Sequence, residues 1–119
     1  MLAATRAGFR LAAVGVDGAA LYGAASAWGP WRRLAAPTSD ASTAFLACAD
    51  TDAGVLVAGL DGTDRPRFWL ETGRGWRETR APSGLDAAAR VVGLAAAPGT
   101  LLAAGADDAG SFVEEVTAA

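Results

Sequence analysis

Histidine and lysine are both absent from this 119-residue chain. Without histidine, the commonest general base at neutral pH and a common zinc ligand are missing. Without lysine, arginine carries all of the positive side-chain charge. Cysteine is confined to Cys48, so no intrachain disulfide can form. Its apolar neighbours, Phe45-Leu46-Ala47 and Ala49, fit a small core side chain better than a reactive thiol. Tyr22 is the single tyrosine. No stretch approaches the roughly 18 apolar residues of a membrane-spanning helix. Residues 1–8 carry no basic leader before an apolar run, so no signal peptide is predicted. No membrane partner is expected, and a cytoplasmic setting is the default expectation. The formal net charge of −3 argues against the broad basic face of a generic nucleic-acid binder.

Hydrophobic residues make up 52% of the chain, but many are alanine, so bulky core-filling side chains are scarcer than that share suggests. Only 8% of residues are aromatic, yet four are tryptophan. Two of the four occupy equivalent places in a repeat. Trp31-Arg32-Arg33-Leu34-Ala35-Ala36-Pro37 returns 45 residues on as Trp76-Arg77-Glu78-Thr79-Arg80-Ala81-Pro82. Leu11-Ala12-Ala13-Val14-Gly15 returns as Leu56-Val57-Ala58-Gly59, and again as Leu101-Leu102-Ala103-Ala104-Gly105. A period of this size is the signature of a repeat architecture. Leu11, Leu56 and Leu101 are spaced by 45, whereas Asp61 and Asp107 are 46 apart. A one-residue slip inside a strand would flip side chains between faces, so the slip is expected at a strand end or turn.

The middle repeat predicts four strands. Residues 44–49 form an apolar run that ends at the turn-like Asp50-Thr51-Asp52-Ala53-Gly54. Residues 55–60 are a second apolar run, closed by Asp61-Gly62, a hairpin signal. Residues 67–72 have strand composition, and Gly73-Arg74-Gly75 turns the chain into the more polar 76–80. Pro82 closes the unit because it cannot donate to a ladder. The first two strands read as buried on both faces and the fourth as exposed. On this template the first repeat has strands at 2–4, 11–15, 19–24 and 31–34. The last has strands at 90–94, 101–105 and 111–116. A helical alternative for the alanine-rich 86–97 is opposed by Gly93, Pro98-Gly99 and the β-branched Val91-Val92.

Dry inner strands and a wet outer strand suit blades arranged around an axis. The predicted fold is all-β: a partial β-propeller of about three repeats of about 45 residues, each of four short antiparallel strands. The repeats span about 1–40, 41–86 and 87–119 within one incomplete domain. Trp31, Trp76, Gly15, Gly59, Gly105, Pro37 and Pro82 are the predicted structural positions. No catalytic, cofactor-binding or metal-binding residue is assigned. The acidic turns at Asp50/Asp52, Asp61/Asp64 and Asp107/Asp108 lack EF-hand spacing and read as turn formers. Arg32, Arg33, Arg77 and Arg80 are expected to face water or pair with Glu78.

The unit resembles the blades of bacterial sialidase-like (Asp-box) β-propellers, whose turn motif is Ser-x-Asp-x-Gly-x-x-Trp. Anchored on Trp76, the motif falls on Trp69, Glu71 and Gly73; anchored on Trp31, it falls on Ala24, Ser26 and Trp28. The resemblance implies that Trp31 and Trp76 pack between strands. A sialidase would also need clustered arginines and a tyrosine nucleophile with an acidic partner, and nothing near Tyr22 in sequence supplies that partner. The predicted function is therefore a non-enzymatic structural or binding module. The alternative is the remnant of a glycoside hydrolase whose catalytic residues lie in further blades. Propellers use 4–8 blades, so three alternatives follow. The chain is a piece of a longer propeller, or copies complete a ring through exposed terminal repeats, or the strands collapse into a curled sheet or sandwich.

Overall fold

A computed structural model describes residues 2–4, 11–14, 21–24, 30, 32–35, 37–38, 42–51, 53–72 and 74–117. Among the described residues, eleven strands form three antiparallel sheets, each built from strands consecutive in sequence. The first sheet contains β1 (Leu2–Ala4), β2 (Leu11–Val14), β3 (Leu21–Ala24) and β4 (Arg32–Leu34). The second contains β5 (Ala44–Thr51), β6 (Gly54–Leu60), β7 (Pro66–Glu71) and β8 (Trp76–Thr79). The third contains β9 (Arg90–Ala97), β10 (Thr100–Asp107) and β11 (Gly110–Val116). The alanine-rich 90–97 is strand, with turns before it, so the helical alternative falls. Among the described residues, no helix is long and apolar enough to cross a membrane.

The middle sheet is covered on both faces, which is why its first two strands lack the alternation of a half-buried sheet. Ala47 and Ala49 of β5, Leu56 and Ala58 of β6, and Phe68 and Leu70 of β7 point one way. They meet Val91 and Leu94 of β9, Leu101 and Ala103 of β10, and Val116 of β11. Phe45, Cys48, Val57 and Trp69 form a separate cluster on the opposite face, with Val55 and Trp76 packed against it. The Phe45 and Trp69 rings meet edge to face at 5.6 Å and 81°, a favoured aromatic geometry. On that side β5 lies against β1 and β2, and Trp76 Nε1 donates to the Ala35 carbonyl at 3.0 Å. The second and third sheets meet chiefly through their first strands, β5 and β9, whereas β5 lies equally against β1 and β2 of the first sheet. The small side chains of Ala47, Cys48 and Ala49, all 2% exposed or less, permit that approach.

Register sets which residues are equivalent between sheets. In β5 a bulge leaves Leu46 unpaired between Phe45, opposite Gly59, and Ala47, opposite Ala58. In β9 a bulge leaves Val92 unpaired between Val91, opposite Gly105, and Gly93, opposite Ala104. The hairpin ends Thr51↔Gly54 and Ala97↔Thr100 keep the same spacing of 46. Both glycines are required by close approach. A Cβ at Gly59 would run into the Ala44 carbonyl oxygen, and one at Gly105 into that of Arg90. Beyond the following turns the spacing falls to 45, with Ala58 opposite Phe68 and Ala104 opposite Val113. The slip therefore lies in the turn between second and third strands.

This corrects the leucine spacing read from the sequence. The structural equivalent of Leu56 is Leu102, not Leu101. A second correction concerns burial. β5 and β6 are buried on both faces along most of their length, but β9 and β10 are buried on one face only. Leu101 and Ala103 are 5% and 0% exposed, whereas Leu102 is 42% and Val113 is 74% exposed. The reason is positional: among the described residues, the third sheet packs on the second sheet through one face only. Arg77 and Glu78 of β8 are exposed, in keeping with a polar fourth strand.

Candidate functional site

The turn from β6 to β7 carries the densest polar network described. Asp61 Oδ1 accepts from the Thr63 amide (2.8 Å), the Thr63 hydroxyl (2.6 Å) and the Arg65 amide (3.0 Å). Its Oδ2 accepts from Arg67 Nε at 3.0 Å. The backbone closes the same loop, since the Asp61 amide donates to Arg65 O (2.9 Å) and the Asp64 amide to Asp61 O (3.0 Å). Asp64 takes a left-handed φ of 61°, a conformation that aspartate tolerates better than most residues. The Thr63 hydroxyl, followed by the Arg65 amide, holds the Asp61 carboxyl well below the usual carboxylate range. A carboxylate saturated in this way is a poor proton acceptor at neutral pH and has few lone pairs left for a cation.

Arg67 extends the network across the sheet. Its Nη1 donates to Glu78 Oε1 at 2.6 Å, and Glu78 foremost, then Asp61, raises the guanidinium pKa. The sequence alone offers Arg32, Arg33, Arg77 or Arg80 as the partner of Glu78, not Arg67. The register explains the difference. Glu78 lies opposite Trp69, so Arg67, two residues along β7, is its diagonal neighbour on the same face. Asp107 and Asp86 repeat the simpler half of the device, accepting from the amides of Ala109 and Ala88, each at 2.8 Å. These aspartates act as turn formers.

Between the second and third sheets, the ends carrying these turns splay into a cleft of about 820 Å3. Arg65, Arg80 and Arg90 line it with Asp64, Glu78 and Asp108. A smaller cleft of about 160 Å3 lies at the opposite ends of the same sheets, beside Thr51 and the Pro98-Gly99 turn. Among the described residues, no three histidine, cysteine or acidic side chains are grouped to hold a metal ion. No catalytic constellation is present among them either.

The predicted structural residues are dispersed. Gly59 and Trp76 belong to one face of the middle sheet: a Cβ at Gly59 would lie 3.2 Å from the Trp69 ring, and Trp76 packs on the cluster containing that ring. Gly105 holds the bulge of the third sheet. Pro82 is buried in the connection from β8 to β9, and Pro37 is half-buried after β4. Trp31 and Gly15 lie outside the described residues. At the motif positions before Trp76, Glu71 Oε1 accepts from the Gly75 amide at 3.2 Å and so caps the turn between β7 and β8; Gly73 lies outside the described residues. Sequence reasoning missed the exposed Leu102 and Val113. Leu101 and Leu102 are chemically alike, so the sequence carried no signal separating the buried one from the exposed one.

No protein-family model, curated protein or solved structure matches this chain. The fold itself defines its class: an all-β, repeat-built module of stacked antiparallel sheets without a catalytic cluster among the described residues.

Proposed function

We propose that this chain is a non-enzymatic, propeller-type structural or binding module, in which stacked sheets act as a rigid frame and the turns at one rim form the recognition surface. One observation carries the proposal: the middle sheet packs one face on the third sheet and the opposite face on the first. Serial stacking of this kind, in which the first strand β5 of the middle sheet meets both neighbours, is how blades gather around an axis. The bulge glycines Gly59 and Gly105 support the same reading, because each permits the same close approach within its own sheet. The Glu71 cap before Trp76 supports the resemblance to Asp-box blades.

The recognition surface is the charged cleft beside the Asp61 turn. Its guanidinium groups suit planar anions such as carboxylates. The test is a screen of small carboxylated and neutral saccharides by amide chemical-shift mapping. Shifts gathered at Arg65, Arg80, Arg90 and Asp108, without turnover, are the expected outcome. Hydrolysis of any glycoside screened, or shifts confined to the other end of the sheets, would refute the proposal.

A further inference from the structure

The charged cleft between the second and third sheets carries one positive charge in excess. Arg65, Arg67, Arg80 and Arg90 line it against three carboxylates, those of Asp64, Glu78 and Asp108. Their pairing is uneven. Arg67 makes two ion pairs, through Nε to Asp61 Oδ2 at 3.0 Å and through Nη1 to Glu78 Oε1 at 2.6 Å. Among the described residues, Arg65, Arg80 and Arg90 form no ion pair.

Glu78 decides how many of those guanidinium groups stay free. Glu78 and Arg80 stand two residues apart at the end of β8, and both line the cleft. Alternate residues of an extended chain share a side, so Arg80 is a ready partner for Glu78. Arg67 forestalls that pairing by reaching Glu78 diagonally from β7. Arg67 is itself fixed from behind by Asp61, whose other oxygen is held by the amides of Thr63 and Arg65. The Asp61 side chain is 15% exposed, against 42% for Arg67 and 50% for Glu78. The relay thus runs from a sheltered anchor in the turn out to the cleft. A lone ion pair as exposed as Arg67–Glu78 would fix little. A guanidinium gripped at two points is a better clamp, because its planar fork is already oriented.

We propose that Arg67 is a positioning residue for anion recognition: by holding Glu78, it leaves the Arg80 guanidinium free to take the carboxylate of a monoanionic ligand. The proposal rests on the reading of this cleft as the recognition surface. The free fork of Arg80 matches the two oxygens of a carboxylate. A single charge in excess favours a monoanion over the dianion of a phosphate monoester, which would overcompensate the cleft. Once released, Glu78 would both occupy Arg80 and repel the ligand, so a substitution at Arg67 acts twice.

Amide chemical-shift titration of the purified chain with glucuronate, a saccharide with one carboxylate, tests this. Arg67→Gln should weaken binding by about fivefold or more, the effect of one opposing charge at contact distance in water. Adding Glu78→Gln to that variant should recover the loss, because no carboxylate is left to occupy Arg80. The Arg80 Nε–H signal is the readout that a merely structural role would not move: it should shift in Arg67→Gln and return in the double variant. Arg74→Gln removes the same charge at an exposed position outside the cleft and should leave the affinity nearly unchanged. No loss in Arg67→Gln, a double variant as weak as the single one, an unmoved Arg80 signal or an equal loss in Arg74→Gln overturns the role of Arg67. Tighter binding of glucose 6-phosphate than of glucuronate overturns the choice of a monoanion. In each of those cases the cleft reading stands if wild-type shifts still gather at Arg65, Arg80 and Arg90. A wild type that shows no such shifts with glucuronate overturns the cleft reading, and the role of Arg67 falls with it.

Discussion

Replacing three leucines one at a time would test the register that organises the stack. Leu56 and Leu101 are 1% and 5% exposed and share the core between the second and third sheets. Truncating either to alanine removes buried methyl groups and leaves a cavity among strands that cannot easily close on it. Each should cost about 2–5 kcal/mol. For a chain of this size, that corresponds to a fall in Tm of about 8–20 °C. Leu102 has the same chemistry and is adjacent to Leu101, but it is 42% exposed on the open face. Leu102→Ala should cost under about 1 kcal/mol, since a half-solvated side chain forfeits little transfer free energy and leaves no closed cavity. Urea denaturation followed by tryptophan fluorescence, at protein concentrations low enough to exclude association, supplies the three values. If Leu102→Ala proves as costly as Leu56→Ala while Leu101→Ala is nearly silent, the faces of the third sheet are reversed and the equivalence of Leu56 with Leu102 is wrong.

Three further outcomes are expected. Glycine to alanine in an accessible strand position stabilises by about 0.4–1 kcal/mol through the unfolded chain. At Gly105 the new Cβ would meet the Arg90 carbonyl oxygen, so Gly105→Ala should instead destabilise by about 1–3 kcal/mol, and a higher Tm would refute the bulge. Because the folded-state pKa of Asp61 is depressed below its ordinary value of 3.8, its stabilisation is complete above that value and is lost as pH falls below it. The stability difference between wild type and Asp61→Ala should therefore be constant from pH 7 to about pH 5 and shrink in more acidic solution; a difference that widens on acidification would contradict the network. Cys48 is 0% exposed, so a thiol reagent should modify it no faster than the protein unfolds, and immediate labelling of the native protein would be inconsistent with that burial.

Most strands were legible because alanine-, valine- and leucine-rich runs are separated by strong turn formers. Asp61-Gly62, Pro98-Gly99 and Asp108-Ala109-Gly110 each fall where a hairpin reverses. The polar β8 could be anticipated for a similar reason, since Arg77 and Glu78 are poor candidates for a core. Register was harder. Leu101-Leu102-Ala103-Ala104 aligns with Leu56-Val57-Ala58 almost equally well in two ways. What decides between them is the approach of the Ala44 and Arg90 carbonyls to Gly59 and Gly105, and composition carries no trace of that. Burial of the third sheet depends on which neighbours it has, so its half-exposed character could not follow from the sequence of its own strands. The Asp61 turn was recognisable as a turn. Its connection through Arg67 to Glu78 was not, because the pairing is diagonal across two strands.

Native-state hydrogen exchange tests the central claim most directly: that the second and third sheets are held by one shared core. Leu56, Phe68 and Leu70 on one side and Val91, Leu101 and Val116 on the other belong to a single buried cluster, so losing either sheet would expose the inner face of the other. The slowest amides of β6 and β10 should therefore exchange with the same opening free energy, equal to that of global unfolding. If β10 opens by a separate, less costly route while β6 stays protected, the sheets are independent units and the shared core does not hold them together.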